Sequence, residues 1–366
     1  MTGSSLGKRF VVTSFGESHG PKVGVIIDGC PAGLEVTVDE IQEDLERRRP
    51  KNDLYSTERK EPDHVEISSG VFKGHTTGAP ICLSISNIDT RSETYEERKD
   101  RPRPGHADLV ARMKYGGYED YRGGGRFSAR ITAGFVAAGA IAKKLIHTIG
   151  ISVYAHTVEI AGIRAREIPL PYQKAASQAD TLSCADSDAT KKMLEAIAQA
   201  KDRGDSLGGV IEAVATGIPV GLGEPVFDNL DGDLAKAFFA IPSVKAVEFG
   251  VGFGSATMRG SDYNDAMSVD DGRIEYLSNN AGGIVGGLSN GQPVVCRIAF
   301  RPPSSIGISQ VTVDLHTMKE QQMTIRGRFD TCAVPRAIPI AEAMMAIALT
   351  DHSIRAGLIP PVLRTR

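Results

Sequence analysis

The residues best suited to chemistry lie at 101–144, where a histidine, several arginines and consecutive glycines occur together. His106 follows a Pro-Gly turn, and an imidazole can change its charge near neutral pH. Arg122, Arg126 and Arg130 recur at four-residue steps around the glycines at 123–125. Bare glycine N–H groups and guanidinium forks both bind phosphate or carboxylate. The segment predicts an anion site beside an ionisable histidine; a glycine loop with surface arginines is the alternative.

More arginines stand beside glycine or proline at the ends of predicted elements. They are Arg47, Arg48, Arg49, Arg301, Arg326, Arg328 and Arg336. Clustered guanidinium groups repel one another unless an anion balances them. A site that collects several would suit a ligand with three or more negative charges, whereas Arg47 and Arg49 are read as surface residues. Asp330 is predicted to pair with Arg328 or, alternatively, to act as a general base.

Residues 16–20, GESHG, match the G-x-S-x-G pattern in which a serine hydrolase presents its nucleophile. That pattern requires a helix after the turn, but Pro21 and a β-type segment follow here. A hydrolase using Ser18 is therefore kept only as the alternative function. His19, in the same turn, is a candidate acid or ligand anchor.

Composition excludes several classes of protein. The 366 residues carry a net charge of −3, which gives no general attraction to nucleic acid. The sequence has no signal-peptide pattern and no run of about 18 apolar residues, so we expect a cytoplasmic protein outside the membrane. The five cysteines are scattered and the histidines lack metal-ligand spacing. We therefore expect neither disulfides nor a metal site.

Hydrophobic patterning predicts the elements that position these residues. Strands at 9–15 and 23–28 flank the turn of Ser18 and His19, and a capping box at Thr37 and Glu40 begins a helix that ends before Pro50. Further strands are predicted at 65–69, 81–85, 151–161 and 294–299, and helices at 129–146, 190–202, 231–239 and 339–348. Residues 87–100 are predicted as a charged loop and 164–188 as a surface excursion.

The order of motifs in the first part of the chain recurs in the second. GVII with PAGL, at 24–34, has a counterpart in GVIE with PVGL, at 209–222, and RFS at 126–128 has one in RFD at 328–330. We predict one domain over 1–366 built from two related halves, about 1–150 and 205–360. Coincidence between common glycine turns is the alternative.

Three long blocks make the chain resemble the chorismate synthase family. They are GESHGPKVGVIIDGCPAG at 16–33, GGRFSARITAGFVAAGA at 124–140 and RFDTCAVPRAIPIAEAM at 328–344. RRRP at 47–50, TTGAPI at 76–81, RPGHAD at 103–108, GLGEPVFD at 221–228 and NNAGGIVGG at 279–287 also match in order. The resemblance covers nearly the whole chain, and ordered motifs of this length are highly specific.

The resemblance implies an α+β fold, a β-α-β sandwich of two antiparallel four-stranded sheets with helices between and around them, in a homotetramer. It implies a carbon-oxygen lyase that eliminates phosphate from 5-enolpyruvylshikimate 3-phosphate to give chorismate, the last step of the shikimate pathway to the aromatic amino acids. Reduced FMN is the implied cofactor. No segment resembles a domain that reduces FMN with NADPH, so an external flavin reductase is the expected source.

The resemblance also assigns roles residue by residue. The implied catalytic residues are His106 as the acid that assists phosphate departure, His19 beside the reduced flavin and Asp330 in proton removal. The implied substrate-binding residues are Arg48, Ser128, Ala129, Arg130 and Arg328. The implied FMN-binding residues are Arg126, Phe127, Ser128, Pro242, Ser243, Gly286, Arg301, Pro302, Pro303, Ser304, Ser305 and Arg328.

Three positions depart from the family pattern. Leu54 replaces a basic residue, for which Lys51 or Arg59 could compensate. Phe127 replaces the commoner serine, so a hydroxyl in that turn would have to come from Ser128. Pro242 replaces a polar residue that some members use near the flavin.

Overall fold

The computed structural model describes residues 3–51, 53–56, 61–90, 92–96, 98–325, 327 and 329–364. Its first part contains β1 (Ser5–Leu6), β2 (Val11–Gly16), β3 (Lys22–Asp28), α1 (Val38–Arg48), β4 (Val65–Ser69), β5 (Val71–Phe72), β6 (His75–Thr76), β7 (Ile81–Ser86), α2 (Glu93–Glu96), α3 (Asp108–Tyr115) and α4 (Thr132–His147).

The second part contains β8 (Ser152–Ile160), β9 (Ile163–Arg164), α5 (Leu170–Gln178), α6 (Ser187–Asp202), β10 (Gly209–Thr216), α7 (Leu230–Phe239), β11 (Val244–Phe249), α8 (Gly260–Tyr263), β12 (Met267–Asp270), β13 (Arg273–Tyr276), β14 (Ile284–Val285), β15 (Leu288–Ser289), β16 (Val294–Phe300), β17 (Gln310–Asp314), β18 (Lys319–Met323) and α9 (Val334–Arg355).

Two antiparallel sheets form the framework, which confirms the predicted α+β class. The first has the strand order β1-β2-β3-β7-β4 and the second β11-β16-β10-β8-β9. The resemblance implied four strands in each sheet; each has a fifth, because the two-residue strands β1 and β9 pair at an edge. Each sheet comes from one part of the chain, while the relation of the two halves as repeats stays a prediction.

Helices α4 and α9 pack against each other at the centre of the fold. Gly139 permits this approach, because a Cβ there would lie 2.2 Å from the Cβ of Ala343. Helix α4 begins at Thr132 rather than 129, since residues 129–131 form a 3-10 turn. Helix α9 begins at Val334, earlier than the predicted 339, and it accommodates Pro335 in its first turn and Pro339 further along.

The predicted capping box of helix α1 is present. The Thr37 hydroxyl accepts a hydrogen bond from the Glu40 amide at 3.2 Å, and the Glu40 carboxylate accepts one from the Thr37 amide at 3.0 Å. Ile41 and Leu45 are buried on one face of the helix, as predicted. The helix thereby brings Arg48, its last residue, into the interior.

Residues 164–188, predicted as a surface excursion, are mostly exposed or half-buried but contain helix α5 and a few buried side chains. Leu182 and Cys184 are almost fully buried. Gln173, also buried, accepts a hydrogen bond from the Tyr154 hydroxyl at 2.8 Å and donates one to Glu212 at 3.1 Å. The polar composition of the segment gave no periodic signal for this packing.

The end of helix α9 holds the segment that leads into β2. One oxygen of Asp351 accepts hydrogen bonds from the amides of Lys8, Arg9 and Phe10 at 2.8, 2.6 and 2.9 Å. Asp351 and Phe10 are both buried, so the bond between them lies away from solvent. In the part of the chain described, no helix is long and apolar enough to cross a membrane, and no three His, Cys, Asp or Glu side chains are grouped to bind a metal.

Candidate active site

A cavity of about 630 Å³ lies between loops from both parts of the chain. This volume is within the range of small-molecule sites. The residues predicted for the site that line it are His19, Arg48, His106, Arg126, Phe127, Ser128, Ala129, Arg130, Pro242, Ser243, Arg301, Pro303, Ser304, Ser305 and Asp330. The structure therefore brings most of the predicted site together, although their separate roles stay predictions.

Three predicted residues are not among the lining. Gly286 lies in the turn between β14 and β15, and Pro302 is only a neighbour of lining residues. Arg328, like Arg326, lies outside the described residues. Of the departures from the family pattern, Leu54 packs against the hydrophobic core, Lys51 does not line this cavity and Arg59 lies outside the described residues.

In the glycine loop at 123–125, Gly123 and Gly124 make room for the two histidines, and Gly125 for the Asp120 carbonyl. All three glycines have left-handed backbone, with φ values of 61°, 82° and 51°. A Cβ on Gly123 would lie 2.3 Å from Cδ2 of His19, and one on Gly124 would lie 2.9 Å from Cε1 of His106. From the sequence, these glycines were considered only as donors of N–H groups. Their lack of a side chain matters as much, because it leaves space for the neighbouring groups.

His106 forms a compact group with Asp108 and Arg103. Its Nδ1 lies 2.5 Å from Asp108 Oδ1 and 3.0 Å from Arg103 Nη2. Arg103 in turn donates to both oxygens of Asp108 at 2.8 Å and to the Ser305 hydroxyl at 3.0 Å. Asp108 can thus fix Nδ1 as the protonated nitrogen of the neutral ring, and Nε2, which lies 3.2 Å from Arg103 Nη2, is then the acceptor.

The electrostatics of this group favour a neutral imidazole in the ligand-free protein. Burial lowers the pKa of His106, and the charges of Arg103 and Arg301 lower it further, although Asp108 opposes them. Burial would raise the pKa of Asp108, but hydrogen bonds from Arg103 and His106 hold it far below its usual range. An anionic ligand in the cavity would favour the protonated form of His106.

His19 is oriented by residues that sequence reasoning missed. Its Nδ1 lies 3.0 Å from the Ser92 hydroxyl, and the ring of Tyr95 meets it edge-on with centroids 5.1 Å apart. Both partners lie in the segment predicted as a charged loop, which here contains helix α2. A polar loop gives no periodic signal for such contacts, so only the fold reveals them.

The turn that holds His19 joins two strands of one sheet. Strands β2 and β3 are antiparallel neighbours, and Phe15 is paired with Gly24 in their register. No helix follows the turn, and Ser18 is only 1% exposed. The strand–turn–helix geometry of a hydrolase nucleophile is therefore missing at Ser18.

Arg48 and Arg130 share one buried carboxylate, that of Asp63. Arg48 Nη1 donates to Asp63 Oδ2 at 2.7 Å, and Arg130 Nη1 donates to Asp63 Oδ1. Asp63 was not predicted from the sequence, where it is one acidic residue in a polar segment. Asp330 was predicted to pair with Arg328, which lies outside the described residues, and Arg336 Nη1 contacts both oxygens of Asp330 at 2.7 Å.

Three other cations of the cavity have no carboxylate partner among the described residues: Arg126, Lys245 and Arg301. Arg126 donates to the Ser4 hydroxyl at 3.2 Å, and Arg301 donates to the Pro302 carbonyl at 2.7 Å. Burial lowers the pKa of Arg301. These groups leave the cavity with positive charge to offer an anion.

Two antiparallel sheets, a helix pair between them and a cavity lined by histidines and arginines are the architecture of an α+β enzyme. A family model described as chorismate synthase matches residues 10–354. The chain belongs to the chorismate synthase family.

Similar proteins support this membership over nearly the whole chain. The chorismate synthase of Dehalococcoides mccartyi is 54% identical over 365 residues, covering 99% of each chain. That of Methanococcoides burtonii is 49% identical over 361 residues, covering 99% of this chain and 98% of its own. A crystal structure of chorismate synthase superposes with a TM-score of 0.74 at 29% identity, covering 96% of this chain and 93% of the other. The serine hydrolase alternative has no support.

Proposed function

We propose that this protein eliminates phosphate from 5-enolpyruvylshikimate 3-phosphate in a 1,4-anti sense, giving chorismate, with reduced FMN as its cofactor. The observation that carries the proposal is the single cavity that His19, His106 and Asp330 line together with a set of arginines. Two ionisable histidines and a carboxylate around one hollow supply the groups for proton transfer, and the arginines supply the groups for anion binding.

The residues present fit both a polyanionic substrate and a flavin phosphate. The substrate carries one phosphate and two carboxylates, and FMN carries a further phosphate. Arg126, Arg301 and Lys245, which lack carboxylate partners among the described residues, can bind such groups without breaking an ion pair. Arg126–Ser128, Ser243 and Arg301–Ser305 would hold FMN, which when bound supplies electron density as phosphate leaves.

His106 would donate a proton to the departing phosphate. Asp108 holds Nδ1, so the transferable proton would be carried on Nε2, which lies 3.2 Å from Arg103 Nη2. Binding of the anionic substrate would raise the pKa of His106 from its lowered value, and the acid would thus be charged when the substrate is in place.

Asp330 would accept the proton that the substrate loses. Arg336 contacts both carboxylate oxygens at 2.7 Å, which keeps the carboxylate oriented. His19, held by the Ser92 hydroxyl at 3.0 Å, would contact the flavin. Arg48, Ser128, Ala129 and Arg130 would bind the substrate, and Arg328 is proposed to join them on the strength of the family motif alone.

We further propose that reduced FMN comes from an external flavin reductase or another source of reduced flavin, that the protein works in the cytoplasm and that it assembles as a homotetramer. These proposals come from family membership.

An anaerobic assay with dithionite-reduced FMN and the enolpyruvyl substrate tests the reaction. We expect release of phosphate and formation of chorismate at equal rates. His106→Ala should lower turnover by about 100-fold or more, the usual scale for a positioned acid, while FMN still binds. His147→Ala is the matched control, because His147 is exposed at the end of α4 and does not line the cavity.

Two outcomes would contradict the proposal. Flavin binding without phosphate release would indicate a non-catalytic flavin-binding module. Wild-type turnover in His106→Ala would remove this histidine from the mechanism.

A further inference from the structure

We propose that Asp63 is a positioning residue of the active site, which holds Arg48 and Arg130 so that both guanidinium groups meet the same anionic group of the substrate. The inference rests on the proposed function, and it adds a residue that neither the sequence motifs nor the family comparison assigned.

Asp63 joins two separate elements of the fold. It lies just before β4, is completely buried, and gives one carboxylate oxygen to each arginine. Arg48 is the last residue of helix α1, and Arg130 lies in the 3-10 turn before α4. One carboxylate therefore sets the distance between two guanidinium groups that line the same cavity.

The other donors of both arginines are also fixed. Arg48 Nε donates to the Thr132 hydroxyl at 3.0 Å, and its Nη2 donates to the Ala129 carbonyl at 3.1 Å. Arg130 Nε donates to Asn87 Oδ1 at 2.7 Å, and its Nη2 donates to the Ser86 carbonyl at 3.1 Å. These neutral acceptors orient the side chains, but they do not balance two buried positive charges.

The carboxylate of Asp63 balances part of this positive charge. Burial lowers the pKa of Arg48 to about 10, and the charges of Arg336 and Arg130 oppose its protonated form, while Asp63 supports it. A second buried carboxylate, that of Glu61, lies 3.7 Å from Arg130 Nη2, so two carboxylates balance the two guanidinium groups. The two arginines are thereby kept from repelling each other before a ligand binds. Arg126, Lys245 and Arg301, which have no carboxylate partner among the described residues, supply the positive charge that attracts a carboxylate or phosphate.

The backbone at Asp63 is in an uncommon conformation. Its φ is 50°, in the left-handed region that side chains other than glycine rarely adopt and that Asp and Asn tolerate best. Backbone in this region is retained where the surroundings require it, and such positions concentrate at functional sites. The turn directs the carboxylate inward to both arginines.

The chain offers a matched control on the same helix. Arg47, the neighbour of Arg48, donates to both oxygens of Glu342 at 2.6 and 2.8 Å. Glu342 is buried, 4% exposed, and does not line the active cavity. Glu342→Gln therefore removes a buried carboxylate from an arginine outside the site, although the side chain of Arg47 is 42% exposed and that of Arg48 only 4%.

The test compares Asp63→Asn with Glu342→Gln in the holoenzyme with reduced FMN. Both variants should lower the unfolding temperature. We expect Asp63→Asn to raise KM for the enolpyruvyl substrate at least tenfold, with a smaller change in kcat, while Glu342→Gln keeps KM within twofold. KM within twofold for Asp63→Asn, or an equal rise in both variants, would overturn the inference.

If Asp63→Asn does not fold, Asp63→Glu tests the positioning role of Asp63 instead. It keeps the charge but displaces the carboxylate by one methylene, so the protein should fold and KM should rise at least threefold. KM within twofold in that variant would overturn the inference as well. Failure of the proposed function and failure of this inference give different results. An inactive wild-type protein refutes the proposed function. An active wild-type protein together with an Asp63 variant of unaltered KM refutes only the role of Asp63.

Discussion

Asp108→Asn gives the sharpest test of how the site controls His106. The substitution keeps the shape of the side chain and removes the negative charge 2.5 Å from His106 Nδ1. The positive charges of Arg103 and Arg301, which already lower the pKa of His106, would then act without opposition. The pKa of His106 should therefore fall further.

The size of the change follows from the geometry. An opposite charge within about 4–6 Å shifts a pKa by roughly 1–3 units. Arg103 shares this carboxylate through hydrogen bonds at 2.8 Å to both oxygens, so the lower end of that range applies. A fall of about one unit reduces the protonated fraction of His106 about tenfold above its pKa.

The sign of the pH effect is fixed by the role proposed for His106. If its protonated form is required, activity is lost as pH rises through its pKa. Lowering that pKa moves the descending limb of the kcat/KM profile about one unit toward lower pH, and kcat/KM at neutral pH falls about tenfold. The profile is measured between about pH 5.5 and 8.5 with dithionite-reduced FMN.

Asp186→Asn is a close control for this experiment. Asp186 accepts hydrogen bonds from the backbone N–H, Nε and Nη2 of Arg166, the same three donors through which Arg103 binds Asp108. Asp186 does not line the cavity, so its variant should keep the wild-type profile. An unchanged profile in Asp108→Asn, or a shift of its descending limb to higher pH, would refute the reasoning.

Two further substitutions test the glycine loop and the turn before β3. Gly124→Ala should lower kcat more than tenfold, because its Cβ would lie 2.9 Å from Cε1 of His106. Gly117→Ala is the control, because Gly117 has a φ of 85° and a Cβ there would have nothing within 4 Å. It carries the same backbone strain of about 1–2 kcal/mol and should keep kcat. Steady-state kinetics and thermal unfolding of both variants check this, and equal kcat values would count against the contact. Ser18→Ala should leave chorismate formation intact or modestly reduced, and an esterase activity that this variant abolishes would contradict that view.

Much of the framework was predictable because local signals and packing agree. The capping box of Thr37 and Glu40 predicted where α1 begins, and the small apolar residues of α4 predicted a buried helix. The histidines and arginines of the candidate site were predictable, because the side-chain type itself determines that they can transfer protons or bind anions. Their surroundings only change the pKa and the orientation.

The supporting residues were not predictable from local pattern. Asp63 meets Arg130 across 67 positions of sequence, and an isolated acidic residue in a polar loop gives no indication of such a partner. Ser92 and Tyr95 are polar or aromatic residues in a charged segment, and their contacts with His19 arise only when α2 folds against the glycine loop. Long-range pairing of this kind has no periodicity to reveal it.

The three amide groups held by Asp351 constrain the order in which the molecule can be completed. Lys8 and Asp351 are separated by 343 positions, so these hydrogen bonds cannot form until most of the chain has left the ribosome. The segment before β2 is synthesised almost first, but it lacks these hydrogen bonds during most of synthesis. A nascent chain that stops short of Asp351 would therefore leave this corner of the first sheet exposed to proteases and chaperones.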